Sequence, residues 1–129
     1  MGWSINIDNL PLPMNDHQLS DLSKNSLYTI AMHTHTHPDL KQKEITYQTG
    51  EILNCKKTLK EKYGVGSNCL SYPFGKYDHN TIRAVANLKL KACFTTCASD
   101  IYADSKKNVL GRYQVFDESC TSLKNRLKI

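Results

Sequence analysis

The sequence predicts an α/β fold built on a parallel sheet. Short apolar stretches rich in β-branched and aromatic residues alternate with segments in which apolar residues recur at helical spacing. Such alternation indicates βαβ units, in which successive strands run parallel. The 129 residues suit one domain spanning 1–129, well short of the roughly 250 residues of a full eightfold barrel. Ligands bind beyond the carboxyl ends of parallel strands, so residues that follow each strand are the first candidates for function.

Four elements are predicted before residue 64. They are a strand at residues 3–7, a helix from Asn15 or Asp16 to about Lys24, a strand at residues 28–32, and a helix from about Gln42 to Tyr63. In the last of these, apolar residues recur at spacings of three, four and seven while lysines occupy the other face, and Gly64 supplies the C-cap.

The second half of the chain predicts three further strands and two short helices. A strand at 69–72 runs directly into a Pro-Phe-Gly turn, and a helix follows at about 80–88. Strands at 91–96 and 109–116 and a terminal helix at 122–127 complete the series. The turn at Pro73–Gly75 therefore follows one strand, just as the histidines at 33–37 follow another.

Composition limits the classes of function. The net charge of +5 comes mainly from dispersed lysines, with few arginines and no nucleic-acid motif, which favours solvated helix faces over a nucleic-acid groove. Five cysteines without a Cys-x-x-Cys pair are typical of free thiols in a reducing location. The chain shows no leader and no long apolar run, so we expect no membrane span, and a cytoplasmic location unless a further N-terminal segment directs it to the cell envelope.

Three of the five histidines, His33, His35 and His37, fall directly after the strand at 28–32. Neutral imidazole is the commonest metal ligand in proteins, and a hydrolytic zinc site combines about three protein ligands with one open position. If the strand continued through His37, all three rings would share one face. If the chain turns after His33, His33 and His37 converge and His35 points elsewhere. A polar surface loop merely rich in histidine is the alternative without chemistry.

Three motifs carry a resemblance to a known family. His33-Thr-x-Thr-His37-Pro38, then Ser71-Tyr-Pro-Phe-Gly75, then Ala92-Cys-Phe-Thr-Thr96 resemble, in order and spacing, the polysaccharide deacetylases of carbohydrate esterase family four. The resemblance extends from Met14 to the C-terminus and is closest to deacetylases of poly-N-acetylglucosamine. It implies a distorted (β/α) barrel that removes acetyl groups from N-acetylglucosamine-containing polymers with a divalent metal, often zinc.

The first motif implies the metal site. His33 and His37 take the positions of the two histidine ligands, and His35 takes the variable position between them. The family's third ligand and its general base come from a pair of adjacent aspartates, and this sequence contains no such pair. Asp8 is the nearest candidate for the third ligand, although it precedes His33 by only 25 residues.

The later motifs imply the substrate site. Phe74 takes the position whose backbone N–H helps to form the oxyanion hole, and Tyr72, Pro73 and Phe74 take positions that bind substrate around the acetyl group. Arg112 resembles a family arginine that lies near the catalytic aspartate, and the alternative for it is a surface arginine on an edge strand. The late Leu-x-His motif that carries the general acid is missing.

Without the Asp-Asp pair and the Leu-x-His motif, the sequence predicts a partial barrel that is truncated at its N-terminal strand. A homo-oligomer could cover the open edge of its sheet. The leading functional hypothesis is a metal-dependent hydrolase that removes N-acetyl groups from N-acetylated polysaccharide or oligosaccharide. One alternative is a catalytically inactive, glycan-binding relative. Another is a different metal hydrolase in which His33, His35 and His37 all coordinate the metal.

Overall fold

The computed structural model describes residues 13–115 and 117–127. Its elements are α1 (Asp16–Lys24), α2 (Ile45–Tyr63), β1 (Cys69–Ser71), a 3₁₀ turn (Pro73–Gly75), α3 (His79–Asn87), β2 (Ala92–Phe94) and α4 (Cys120–Leu127). This order confirms the mixed α/β class. The strand expected at residues 3–7 and the candidate ligand Asp8 lie outside the described residues.

A small parallel sheet forms the centre of the molecule. β1 and β2 pair in parallel with Leu70 opposite Cys93. Met32 adds a parallel bridge to Leu70 on one side of this pair, and Leu110 adds another to Phe94 on the other side. Four segments of the chain are thus aligned within the described residues. They do not by themselves close a barrel, so barrel closure stays a prediction.

The predicted strands were too long: the one at 91–96 forms only over Ala92–Phe94, and two others form a single bridge each. Of the strand expected at 28–32, only Met32 pairs with β1, donating its N–H to the Cys69 carbonyl and accepting from the Ser71 N–H. Of the strand expected at 109–116, a single bridge forms, at Leu110. Other residues of the two predicted strands, such as Tyr28 and Val115, are largely exposed. Strand propensity without burial on a partner sheet is too weak to extend the pairing.

The helices begin and end where local chemistry places them. Asn15 caps α1 and Asp78 caps α3, and each forms a reciprocal capping box with the residue three positions later. Gly64 ends α2 in the left-handed conformation. Among the described helices, none combines the length and hydropathy needed to cross a bilayer.

The core lies where α2 and α3 meet the sheet. Ile52 of α2 and Val85 of α3 pack with Leu70 of β1 and Cys93 of β2, and the cluster also includes Met32, Leu40 and Tyr72. Burying each large apolar side chain contributes about 1.5–3 kcal/mol. This cluster fixes the segments whose ends carry the histidines and the Pro73–Gly75 turn.

Candidate metal and substrate site

His33 and His37 converge beyond the sheet. Their Nε2 atoms lie 3.1 Å apart, and their rings meet edge to face with centroids 4.7 Å apart. His35 is exposed and does not join them to form a site: the described residues contain no group of three His, Cys, Asp or Glu side chains able to hold a metal. Of the two geometries predicted, the structure therefore shows the turned one.

The hydrogen bonds around His33 fix its tautomer. Its Nδ1 lies 2.8 Å from the Ser71 carbonyl oxygen, which can only accept, so Nδ1 carries the proton of the neutral ring. In that tautomer His33 Nε2 is unprotonated, and it faces His37 Nε2 at 3.1 Å. Metal-ligating histidines typically donate the N–H of their other ring nitrogen to a carbonyl or carboxylate, as His33 Nδ1 does to Ser71.

The spacing of the two Nε2 atoms suits a metal. Ligand nitrogens at about 2.0–2.1 Å from a tetrahedral zinc ion lie about 3.3–3.4 Å from each other. The observed separation of 3.1 Å is close to that value. His33 and His37 thus fit two of the ligand positions, and Asp8, the candidate third ligand, lies outside the described residues.

A loop with unusual backbone geometry holds the two histidines together. Thr34 and His37 both have positive φ, at 67° and 57°, which breaks the strand's alternation after His33. Glu51 of α2 accepts hydrogen bonds from the His35 and Thr36 N–H groups at 3.0 and 2.8 Å. It also accepts one from the Thr36 hydroxyl at 2.9 Å. Burial alone would raise the pKa of Glu51, but these three hydrogen bonds outweigh it and lower the pKa.

Ser71, at the end of β1, connects His33 to Arg112. Its carbonyl oxygen accepts a hydrogen bond from His33 Nδ1, and its hydroxyl accepts one from Arg112 Nη2 at 2.7 Å. Arg112 Nε donates to the Thr95 carbonyl at 2.9 Å, and the guanidinium lies over the Phe94 ring. Although exposed, Arg112 is therefore anchored at two points beside the site.

Phe74 lies next to the metal ligands. Its ring packs edge to face on His37 with centroids 4.8 Å apart, and the side chain is 59% exposed. Its φ of 57° is uncommon for a bulky residue. The N–H groups of Gly75 and Lys76 bond to Tyr72 and Pro73 carbonyls, whereas that of Phe74 has no protein acceptor within the described part of the chain.

Tyr72 and Pro73 lie beneath the surface at this position. Both are buried, and the Tyr72 hydroxyl donates to the Asn108 carbonyl at 2.7 Å. Burial raises the pKa of Tyr72, which keeps the phenol neutral. Of the three residues predicted to bind substrate, only Phe74 therefore exposes its side chain.

Asp78 holds the segment that follows the histidines. Burial would raise the pKa of Asp78, but hydrogen bonds from the Thr81 and Gln42 N–H groups, the Thr81 hydroxyl and Gln48 lower it to about 2. Gln42 itself has a positive φ of 63°. The contact therefore fixes a strained residue between Pro38 and α2 to the start of α3.

We expect the Asp78 carboxylate to make the free energy of unfolding depend on pH in the acidic range. A depressed pKa contributes stability that is complete above the unfolded value of about 3.9 and is lost as pH falls towards about 2. The difference in unfolding free energy between the chain and Asp78→Asn, measured by urea titration, should be constant above about pH 5 and shrink below about pH 4. A difference independent of pH would contradict this assignment.

The chain is similar to known proteins in sequence and in fold. Residues 6–93 match the family described as polysaccharide deacetylase. No curated protein matches the sequence significantly. The structure is similar to that of the Streptococcus pyogenes deacetylase PplD in complex with acetate, with 24% identity and a TM-score of 0.79 over 88% of this chain and 50% of that one.

Two other solved structures share the fold. A polysaccharide deacetylase from Bacillus cereus has 16% identity and a TM-score of 0.78 over 88% of this chain and 36% of that one. A de-N-acetylase from Aggregatibacter actinomycetemcomitans has 15% identity and a TM-score of 0.71 over 95% of this chain and 58% of that one. The chain thus spans between about a third and three fifths of the length of these proteins. Since the family match covers more than half of the sequence, the chain belongs to the polysaccharide deacetylase family.

Proposed function

We propose that this chain is the metal-binding part of a hydrolase that removes N-acetyl groups from N-acetylglucosamine-containing polysaccharide. The observation that carries the proposal is the paired Nε2 atoms of His33 and His37, 3.1 Å apart beyond the sheet. Family membership favours deacetylation, and two imidazoles suit zinc, the metal proposed here.

Each nearby residue has a role in this proposal. When bound, a divalent metal polarises an amide oxygen and lowers the pKa of its water to about 7. The free Phe74 N–H donates to the oxyanion of the tetrahedral intermediate, as preorganised backbone donors do in acyl transfer. Arg112 orients Ser71, whose carbonyl fixes the tautomer of His33. The exposed Phe74 ring offers an apolar surface to the sugar.

A third ligand and a general base complete the proposed centre from outside the described residues. Asp8 is the candidate within this chain, and a second copy covering the sheet edge beside Met32 is another source. Among the described residues no group of three ligands forms, and this favours the second candidate function, a glycan-binding relative without catalysis. In either case we propose that the described sheet is part of a distorted (β/α) barrel.

Release of acetate tests the proposal. The chain, loaded with zinc, should release acetate from oligomers of N-acetylglucosamine, and a chelator or His37→Ala should abolish the release. If calorimetry shows that the same oligomers bind but no acetate is released, the glycan-binding relative is supported and the hydrolase is contradicted. Absence of both would contradict the two candidates.

A further inference from the structure

We propose that Glu51 is a positioning residue, which holds His33 and His37 in their metal-binding arrangement through the loop between them. The inference rests on the proposed function in one respect, namely that these two histidines bind a metal. The hydrogen bonds that carry it belong to the structure whether or not a metal binds.

The first argument is the cost of the loop's conformation. Thr34 is β-branched and has a φ of 67°, and His37 follows at 57°. Non-glycine residues in this region are strained, and they persist only where surrounding contacts fix them. A chain free to relax would return to extended geometry, in which successive side chains point to opposite faces.

The second argument is that Glu51 supplies those contacts at the middle of the loop. One carboxylate oxygen accepts from the His35 and Thr36 N–H groups, and the other accepts from the Thr36 hydroxyl. Glu51 is only 8% exposed and lies on α2, one position before the fully buried Ile52. A helix anchored in the core thus carries the carboxylate that accepts from both amides at the middle of the loop.

The third argument is that each histidine lies within two residues of an anchored amide. The separation of their Nε2 atoms depends on the backbone path from His33 to His37, and Glu51 fixes the two amides in the middle of that path. Glu51 itself does not join the two histidines, since the described residues contain no group of three His, Cys, Asp or Glu side chains able to hold a metal. Its effect on metal is therefore exerted through geometry.

Zinc calorimetry on the intact chain and four variants tests the inference. Glu51→Ala should lower zinc affinity about 10- to 100-fold, as loss of outer-shell contacts typically does. Glu51→Gln should stay within about threefold, because its amide oxygen still accepts from both N–H groups. Thr36→Val should fall between them, and Glu61→Ala, exposed on the same helix, should have no effect. Equal affinity of folded Glu51→Ala and the intact chain would overturn the proposal.

Amide hydrogen exchange separates this inference from the proposed function. In Glu51→Ala without metal, the amides of His35 and Thr36 should exchange at least about tenfold faster, while that of Met32, bonded to Cys69, should be unchanged. Equal acceleration at all three would indicate general destabilisation and overturn the positioning role. Local acceleration in a chain that binds no zinc would support the positioning role while the proposed function fails.

Discussion

Alanine in place of either His33 or His37 should lower zinc affinity by more than about 100-fold, because even loss of a contact behind a ligand costs 10- to 100-fold. Each substitution removes one of two nitrogens that the structure brings to 3.1 Å from each other. His35→Ala should leave the affinity within about threefold, since its side chain lies outside the pair and its backbone N–H remains to bind Glu51.

Titration of zinc or cobalt by calorimetry into the intact chain and the three variants measures these effects. The alanine variant at position 35 is the matched control, because it lies in the same loop and changes charge and size in the same way. Loss of binding in all three variants would instead support the alternative in which all three histidines coordinate the metal. Retention of binding in His33→Ala and His37→Ala would show that the metal binds elsewhere.

The sequence predicted that the histidines lie at the end of a parallel strand but could not choose between two geometries. Pro38 disfavours helix at the residue before it, His37, but it does not decide where the loop turns. The positive φ at Thr34 was not predictable, because a β-branched residue seldom adopts it. That conformation depends on tertiary contacts, which local propensity does not contain.

Glu51 was missed because the pattern of α2 was read from its apolar residues alone. Gln48, Glu51, Ile52 and Cys55 follow the spacing i, i+3, i+4, i+7 of a single helix face. Gln48 and Glu51 are both buried, so two polar residues occupy the face that packs inward. Polar residues on the core side of a helix are the signal that could have found this anchor, since buried polar groups require partners.

Replacing Gly75 with alanine should lower the free energy of unfolding by about 2–5 kcal/mol. A Cβ at this position would clash with Thr96 Oγ1 and would lie 2.7 Å from Thr96 N and 2.8 Å from Thr96 Cβ. The hydroxyl can rotate away, but the Thr96 backbone cannot move cheaply because it follows β2. Gly75 also has a φ of 66°, which alone costs alanine about 1–2 kcal/mol. Out of a total stability of about 5–15 kcal/mol, the loss is large.

Gly64→Ala isolates the steric part of this effect. Gly64 has nearly the same φ, 70°, but nothing lies within 4 Å of its Cβ position, so only the conformational cost of about 1–2 kcal/mol applies. Urea unfolding of both variants gives the difference, which we attribute to the contact between Gly75 and Thr96. Equal losses in the two variants would contradict that contact. Because Gly75 follows Phe74 in the turn after β1, a backbone shift forced there would also displace Phe74 from His37, so zinc affinity should fall in Gly75→Ala and not in Gly64→Ala.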